Sequence, residues 1–212
     1  MLARRGRARF LSHLETQEAV LRALRRARLP LARSSGFHPR PRVSLLTALP
    51  VGAEAEALVV LAGLREPVAR AAIESSLSRA LPGGLSLRAA RLAPAGERKR
   101  LVKVRWETWV VNAELGRAIG REDLEAACSP AHYAELVCVR GEREVRLGER
   151  VRLLRALHLA AEGRRALLLV SVERGEGAVP AAAEVVRAVL SEWSPSVRRV
   201  ALCGIGRQGE EN

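Results

Sequence analysis

The strongest constraint on the fold is the order of the apolar segments, which proline and glycine residues separate. A short strand at 7–11 leads into a helix, because SHLE (12–15) has the capping-box pattern and Leu29-Pro30 ends the helical periodicity near Arg28. Strands at 43–51 and 57–64, a helix at 66–81 and a strand at 85–92 follow. This β-α-β-β-α-β order predicts a ferredoxin-like half.

The second half of the chain repeats roughly the same order with an added hairpin. A linker at 93–99 precedes the alternating strand RLVKVRWETWVV (100–111), and a helix is expected near 113–127. Further strands include a hairpin that turns at Glu162-Gly163, and a helix at 179–193 precedes a last strand at 197–205. We therefore predict an α+β fold of two tandem ferredoxin-like halves with antiparallel sheets, 1–93 and 94–212.

The positive charge is concentrated at one end of the chain. The 212 residues carry 36 Lys and Arg against 23 Asp and Glu, a net charge of +13. Residues 1–42 hold eleven arginines and two glutamates, so +9 of that charge lies in the first fifth of the sequence. Such a basic region is typical of proteins that bind a polyanion, and RNA (a tRNA or an rRNA) is the expected partner.

Several other classes of protein are not favoured by the sequence. The three cysteines, Cys128, Cys138 and Cys203, have no metal-ligand spacing, so no metal or other cofactor is expected. GIGRQG (204–209) spells a dinucleotide fingerprint, but no helix and no acidic residue at the required distance follow it. No run is long and apolar enough for a membrane span or a signal peptide, which favours the cytoplasm.

The segment SSGFHPRPR (34–42) has the composition of a binding loop. Pro39 and Pro41 hold the preceding residues in an extended conformation, in which residues two apart point the same way. His38, Arg40 and Arg42 are therefore expected on one side at intervals of about 6–7 Å, comparable to successive phosphates of a nucleic-acid strand. Phe37 would stack on a base. The alternative is a rigid connector with Phe37 in the core and solvated arginines.

The preceding helix adds basic residues to this segment. Arg22, Arg25 and Arg26 share one face near its end, although Glu18 also suits a surface ion pair with Arg22. His13 lies in the first turn, where the helix dipole favours a neutral imidazole able to act as a base or to bind an RNA group. A histidine packed near the cap is the alternative. The predicted RNA-binding residues are His13, Arg22, Arg25, Arg26, Phe37, His38, Arg40 and Arg42.

Three stretches of the N-terminal half together resemble a known family. They are FLSHLE (10–15), RALRRARLPLARSSGFHPRPRVSL (22–45) and ALPVGAEAE (48–56). The family is the radical-SAM-linked family, a bacterial domain of unknown function that is fused to, or encoded beside, radical SAM proteins. His38 stands where that family shows asparagine, and Glu15 where it shows aspartate. The resemblance implies an accessory or substrate-binding module, because this chain lacks the CxxxCxxC triplet of a radical SAM enzyme.

The expected function is RNA binding by an accessory to a radical SAM enzyme or to another RNA-maturation step, without catalysis of its own. One alternative is a metal-independent ribonuclease that uses His13 and His38 as an acid–base pair. Another is a protein-interaction domain that docks on a radical SAM partner. Salt-dependent RNA binding distinguishes the first function from the last.

Overall fold

The computed structural model describes residues 1–93, 105–140, 142–174 and 178–206. The chain divides into two units, Met1–Lys103 and Val104–Asn212. Most of the predicted linker (93–99), the start of the predicted strand at 100–111, and the end of GIGRQG lie outside the described residues.

The first unit alternates strands with helices. The elements are β1 (Leu2–Arg4), a 3-10 helix (Gly6–Phe10), α1 (His13–Arg26), β2 (Val43–Leu45), β3 (Glu54–Leu58), β4 (Val60–Ala62), α2 (Arg70–Ala80) and β5 (Leu85–Leu87). Strands β1 and β3 pair antiparallel, as do β1 and β5, so one sheet has the order β5-β1-β3, and β2 pairs antiparallel with β4. Helices α1 and α2 pack against each other.

The predicted first strand at 7–11 is wrong. The strand is β1, and the predicted residues lie mostly in the 3-10 helix, in which only Ala8 is buried. Gly6 has a φ of 58°, a left-handed conformation that ends the strand and turns the chain. The predicted strands at 43–51 and 85–92 are also shorter than expected, because each keeps strand pairing over three residues only.

A fully buried arginine joins three parts of the first unit. Arg4 at the end of β1 is 0% exposed and donates to the Leu11 carbonyl (3.0 Å) and the Thr16 hydroxyl (3.0 Å). Its other terminal nitrogen donates to the carbonyls of Pro50 (2.9 Å) and Ala53 (2.8 Å). Burial lowers the pKa of Arg4. The side chain thus holds the start of α1 and the turn before β3 against the sheet.

The second unit is built on a four-stranded sheet. The elements are β6 (Trp106–Leu115), α3 (Arg121–Ala127), α4 (Pro130–Tyr133), β7 (Val137–Arg140), β8 (Arg143–Arg146), α5 (Leu147–Arg150), β9 (Val151–Ala160), β10 (Arg165–Glu173), α6 (Ala182–Val189), a 3-10 helix (Ser191–Trp193) and β11 (Pro195–Gly206). The order of the sheet is β11-β6-β10-β9, and every neighbouring pair in it is antiparallel. A separate hairpin joins β7 to β8.

The core of the second unit lies on one face of this sheet. Val111 of β6 is opposite Leu168 of β10, and both are fully buried. Helix α6 covers this face with Val185 and Val186, which are also fully buried, and it contacts β6, β10 and β11. The alternation of buried and half-buried residues along β6 follows from the two-residue period of a strand with one covered face.

The predicted helix near 113–127 starts too early. Residues 113–115 extend β6, because Ala113 and Glu114 continue the pairing with Ala166 and Arg165 of β10. The predicted turn at Glu162-Gly163 is confirmed, since it joins β9 to β10. The mixed α+β class is also confirmed. No helix of the described residues is long and apolar enough to cross a membrane.

Candidate nucleic-acid interface

The capping box at the start of α1 is confirmed. The Glu15 backbone N–H donates to the Ser12 hydroxyl (3.2 Å), and the Ser12 backbone N–H donates to the Glu15 carboxylate (2.8 Å). These hydrogen bonds lower the pKa of Glu15. His13 follows the cap and is half-buried; its Nδ1 atom is buried and has no hydrogen-bond partner among the described residues.

The other end of α1 carries exposed arginines. Arg22, Arg25 and Arg26 are all exposed, and Arg22 forms an ion pair with Glu18 at 3.3 Å. Arg25 is twelve residues after His13, which corresponds to about 18 Å along a helix axis. The helix therefore places these arginines far from His13.

A Schellman motif ends α1, and an arginine occupies its left-handed position. The Leu29 N–H donates to the Leu24 carbonyl (3.2 Å), and the Arg28 N–H donates to the Arg25 carbonyl (2.9 Å). Arg28 has a φ of 54°. Glycine is the usual residue at this position because a Cβ atom is strained there. Arg28 is exposed, so folding alone gives no reason for an arginine at this site.

After α1, residues 31–42 form a projecting hairpin, which we call the arginine hairpin. The Ser34 N–H donates to the Arg40 carbonyl (2.8 Å), and the Arg40 N–H donates back to the Ser34 hydroxyl (3.0 Å). Arg33 and Pro41 form an antiparallel bridge. The hairpin connects to α1 at its base, where the Gln17 side-chain amide donates to the Val43 carbonyl at 3.3 Å.

Three backbone hydrogen bonds fix the base of the arginine hairpin. The Ala32 N–H donates to Gly63, the Gly63 N–H donates to Arg42, and the Arg42 N–H donates to Ala32, each at 2.8 Å. A Cβ atom on Gly63 would lie 3.3 Å from the Arg42 Cβ and 3.4 Å from the Ala32 Cβ. A side chain at Gly63 would therefore make a tight contact with both neighbouring Cβ atoms.

The tip of the arginine hairpin, residues 35–39, is exposed throughout. Phe37 is 103% exposed, so the alternative in which it plugs the core is wrong. Gly36 has a φ of 115°, which only glycine adopts without strain. His38 is also exposed, and no hydrogen bond among the described residues joins it to His13. Their pairing as an acid and a base stays a prediction.

The two faces of the arginine hairpin both carry arginine. Bridge partners in an antiparallel pair point to the same face, so Arg33 shares a face with Pro41. Arg40 and Arg42 therefore lie together on the opposite face, as the two-residue period predicts. All three arginines are exposed.

This region has no carboxylate of its own. Between Glu18 and Glu54 the sequence contains neither Asp nor Glu. Of its seven arginines, Arg22 alone forms an ion pair in the part of the chain that the structure describes. We call these residues the basic surface: Arg22, Arg25, Arg26, Arg28, Arg33, Arg40 and Arg42.

The sequence prediction did not select two of these arginines. Arg28 could have been found from the Leu29-Pro30 stop, since an arginine directly before it stands where a helix-ending glycine is expected. Arg33 could have been found only by recognising residues 31–42 as a hairpin. Within the described ranges, no cluster of three or more His, Cys, Asp or Glu side chains is arranged to hold a metal ion.

The fold and this surface define a mixed α+β protein whose first unit presents arginines on a helix end and a hairpin. The chain belongs to the DUF2344 family, described as an uncharacterized protein conserved in bacteria, whose model matches residues 1–179. The radical-SAM linkage expected from the sequence stays a prediction. No curated protein gives a significant match.

Solved structures share the fold. The chain is similar to a chain in the crystal structure of a Cbf5-Nop10-Gar1 complex, with a TM-score of 0.53 and 11% identity over 93% of this chain and 47% of that one. It is also similar to a chain of an archaeal box H/ACA sRNP Nop10-Cbf5 complex, with a TM-score of 0.51 and 12% identity over 91% of this chain and 45% of that one. A third similar chain belongs to an H/ACA RNP bound to a substrate RNA containing 2′-deoxyuridine, with a TM-score of 0.51 and 11% identity over 91% of this chain and 45% of that one. The chain spans about half the length of these chains, and at this identity the likeness concerns the fold alone.

Proposed function

We propose that this protein binds RNA through the basic surface. The observation that carries the proposal is a run of seven exposed arginines, from Arg22 to Arg42, without a carboxylate between Glu18 and Glu54. Arginine forms bidentate hydrogen bonds with phosphate and is the usual residue at nucleic-acid surfaces. Six of the seven arginines have no ion pair among the described residues to lose on binding.

The conformation of Arg28 supports the same proposal. A residue with a Cβ atom in the left-handed region costs about 1–2 kcal/mol compared with glycine. Strain of this kind is common where a side chain is needed for binding. An exposed arginine kept in a strained position at the edge of a basic surface fits a contact with phosphate.

The fold also supports an association with RNA. Two of the similar structures are an sRNP complex and an RNP bound to a substrate RNA. We further propose that both units are ferredoxin-like halves. In the second unit, the order β11-β6-β10-β9 places the last main strand beside the first, then the third and the second. The first unit follows the same order if β3 and β4 count as one interrupted strand.

The test measures the anisotropy of fluorescently labelled bulk bacterial tRNA and of an rRNA stem-loop from about 50 to 200 mM salt. We expect binding at low salt that weakens steeply as salt rises. Arg40→Ala plus Arg42→Ala should weaken binding and reduce the salt slope by about 1.4, for two lost phosphate contacts with a single-stranded segment.

The matched control is Arg143→Ala plus Arg146→Ala, which removes two exposed arginines from β8. This control should bind as the wild type does, because it changes the net charge equally but lies outside the basic surface. Absence of binding at low salt, or equal losses in the two double variants, would contradict the proposal.

We also propose a biological context for the binding, which rests on the sequence resemblance alone. We propose an accessory role beside a radical SAM enzyme or another RNA-maturation step, acting on a tRNA or an rRNA. The ribonuclease alternative predicts RNA cleavage by the wild type and its loss in His13→Ala with binding retained. Intact RNA after prolonged incubation with the wild type would exclude that alternative.

A further inference from the structure

We infer that the tip of the arginine hairpin binds an unpaired nucleotide, so that the RNA recognised by this protein contains a loop, a bulge or a single-stranded end. This inference rests on the proposed function and names the class of RNA. It depends on three properties of residues 31–42: the exposure of Phe37, the rigidity of the hairpin and the spacing of its arginines.

Phe37 is fully exposed, at 103% of its reference surface. A single exposed apolar residue is common on protein surfaces and is not a site in itself. Phe37 differs because it stands at the tip of a projecting hairpin, next to His38 and close to Arg40 and Arg42. An aromatic ring beside cationic side chains is the combination that binds single-stranded nucleic acid, since the ring stacks on a base and the cations hold phosphates.

The arginine hairpin is held rigid below its tip. The hydrogen bonds that join Ala32, Gly63 and Arg42 fix its base, and the reciprocal bonds between Ser34 and Arg40 fix its middle. Pro39 restricts φ on one side of the tip. The backbone on either side of the tip therefore loses little conformational freedom on binding, so more of the stacking free energy contributes to affinity.

The spacing along the hairpin suits consecutive nucleotides. Three Cα–Cα steps separate Phe37 from Arg40, which limits the distance between their Cα atoms to about 11 Å. Arg40 and Arg42 are two residues apart in extended chain, or about 6–7 Å. A base stacked on Phe37 would therefore place its own or a neighbouring phosphate within reach of both guanidinium groups.

A continuous duplex does not offer this partner. The major groove of A-form RNA is deep and narrow, so side chains do not reach the base edges there, and every paired base is already stacked on its neighbours. Aromatic side chains instead stack on bases that loops, bulges and ends leave free. Phe37 has a stacking partner only in such RNA, whereas the arginines bind phosphates of either kind.

The experiment compares a labelled stem-loop RNA with a blunt duplex of the same base composition, each titrated with the full-length protein. We expect Phe37→Ala to weaken binding of the stem-loop about 5- to 150-fold and to leave binding of the duplex unchanged. Phe37→Trp should retain the affinity of the wild type, because a larger ring also stacks. Phe10→Ala is the matched control, since Phe10 is the only other phenylalanine and is 57% exposed outside the hairpin.

The outcomes separate the two claims. Failure of both RNAs to bind in a salt-dependent manner contradicts the proposed function itself. Salt-dependent binding of both RNAs with no loss in Phe37→Ala, or with equal loss on the duplex, overturns the inference and leaves the proposed function standing. An unchanged circular dichroism spectrum of Phe37→Ala would show that the variant is folded, as its full exposure predicts.

Discussion

Replacing Arg28 with glycine should make the protein more stable and a weaker binder of RNA. Arg28 has a φ of 54° at the end of α1, where the left-handed conformation costs an L-residue about 1–2 kcal/mol. Glycine removes that cost but gains freedom in the unfolded chain, which offsets about 0.4–1 kcal/mol. The Schellman hydrogen bonds of Leu29 and Arg28 use backbone atoms only, so they remain. The net gain in the free energy of unfolding is therefore about 0.5–1 kcal/mol.

Urea denaturation followed by circular dichroism measures the first effect, and anisotropy with the stem-loop RNA measures the second. The salt slope should fall by about 0.7 if Arg28 contacts one phosphate. Arg28→Ala separates the two causes, because it removes the guanidinium and keeps the strain. It should bind RNA as weakly as Arg28→Gly without the gain in stability.

Two results would refute this reasoning. A glycine variant that is less stable than the wild type would mean that the Arg28 side chain stabilises the fold and that the left-handed strain is not the dominant effect. A glycine variant that is more stable but binds RNA with unchanged salt dependence would show that Arg28 does not contact RNA, whatever the result for the other arginines.

Three further predictions follow from the burial of Arg4 and Cys128. Arg4→Ala should lower the free energy of unfolding by about 3–5 kcal/mol in urea denaturation, because it leaves a cavity and removes the donor to the carbonyls of Leu11, Pro50 and Ala53. Arg5→Ala should have a much smaller effect at the exposed neighbouring position, and similar losses in both variants would contradict the role of Arg4. Native protein at pH 8 should react with a thiol reagent at Cys203, which is exposed, and not at Cys128, whose pKa burial raises from 9.0 to about 11. As pH rises, the Cys128 thiol ionises in the unfolded chain before it ionises in the folded protein. The free energy of unfolding should therefore fall between pH 9 and about 11. A Cys128→Ala variant should show a smaller fall in urea denaturation over the same pH range.

Local signals in the sequence predicted the parts of the fold that depend on neighbouring residues. The capping box of Ser12 and Glu15 fixed the start of α1, and Glu162-Gly163 fixed a hairpin turn. Both depend on side-chain or backbone chemistry within four residues. The predicted strand at 7–11 is wrong although its composition suits a strand. The left-handed conformation of Gly6 bends the chain before these residues.

Contacts between distant segments could not be predicted in this way. The arginine hairpin depends on Gly63, which is more than twenty residues beyond it, and no local pattern connects the two. In the sequence, Arg4 is one of several N-terminal arginines. In the structure it alone among them is completely buried, and its hydrogen-bond partners are as distant in sequence as Ala53. The sequence therefore predicted most of the residues of the candidate site, whereas their three-dimensional arrangement required the structure.

The anchoring of the arginine hairpin at its base has a consequence for engineering this protein. Since the bonds around Gly63 lie below the tip, residues 35–39 other than Gly36 can change in identity at little cost to folding. The same independence makes the tip a practical place to exchange one recognition loop for another.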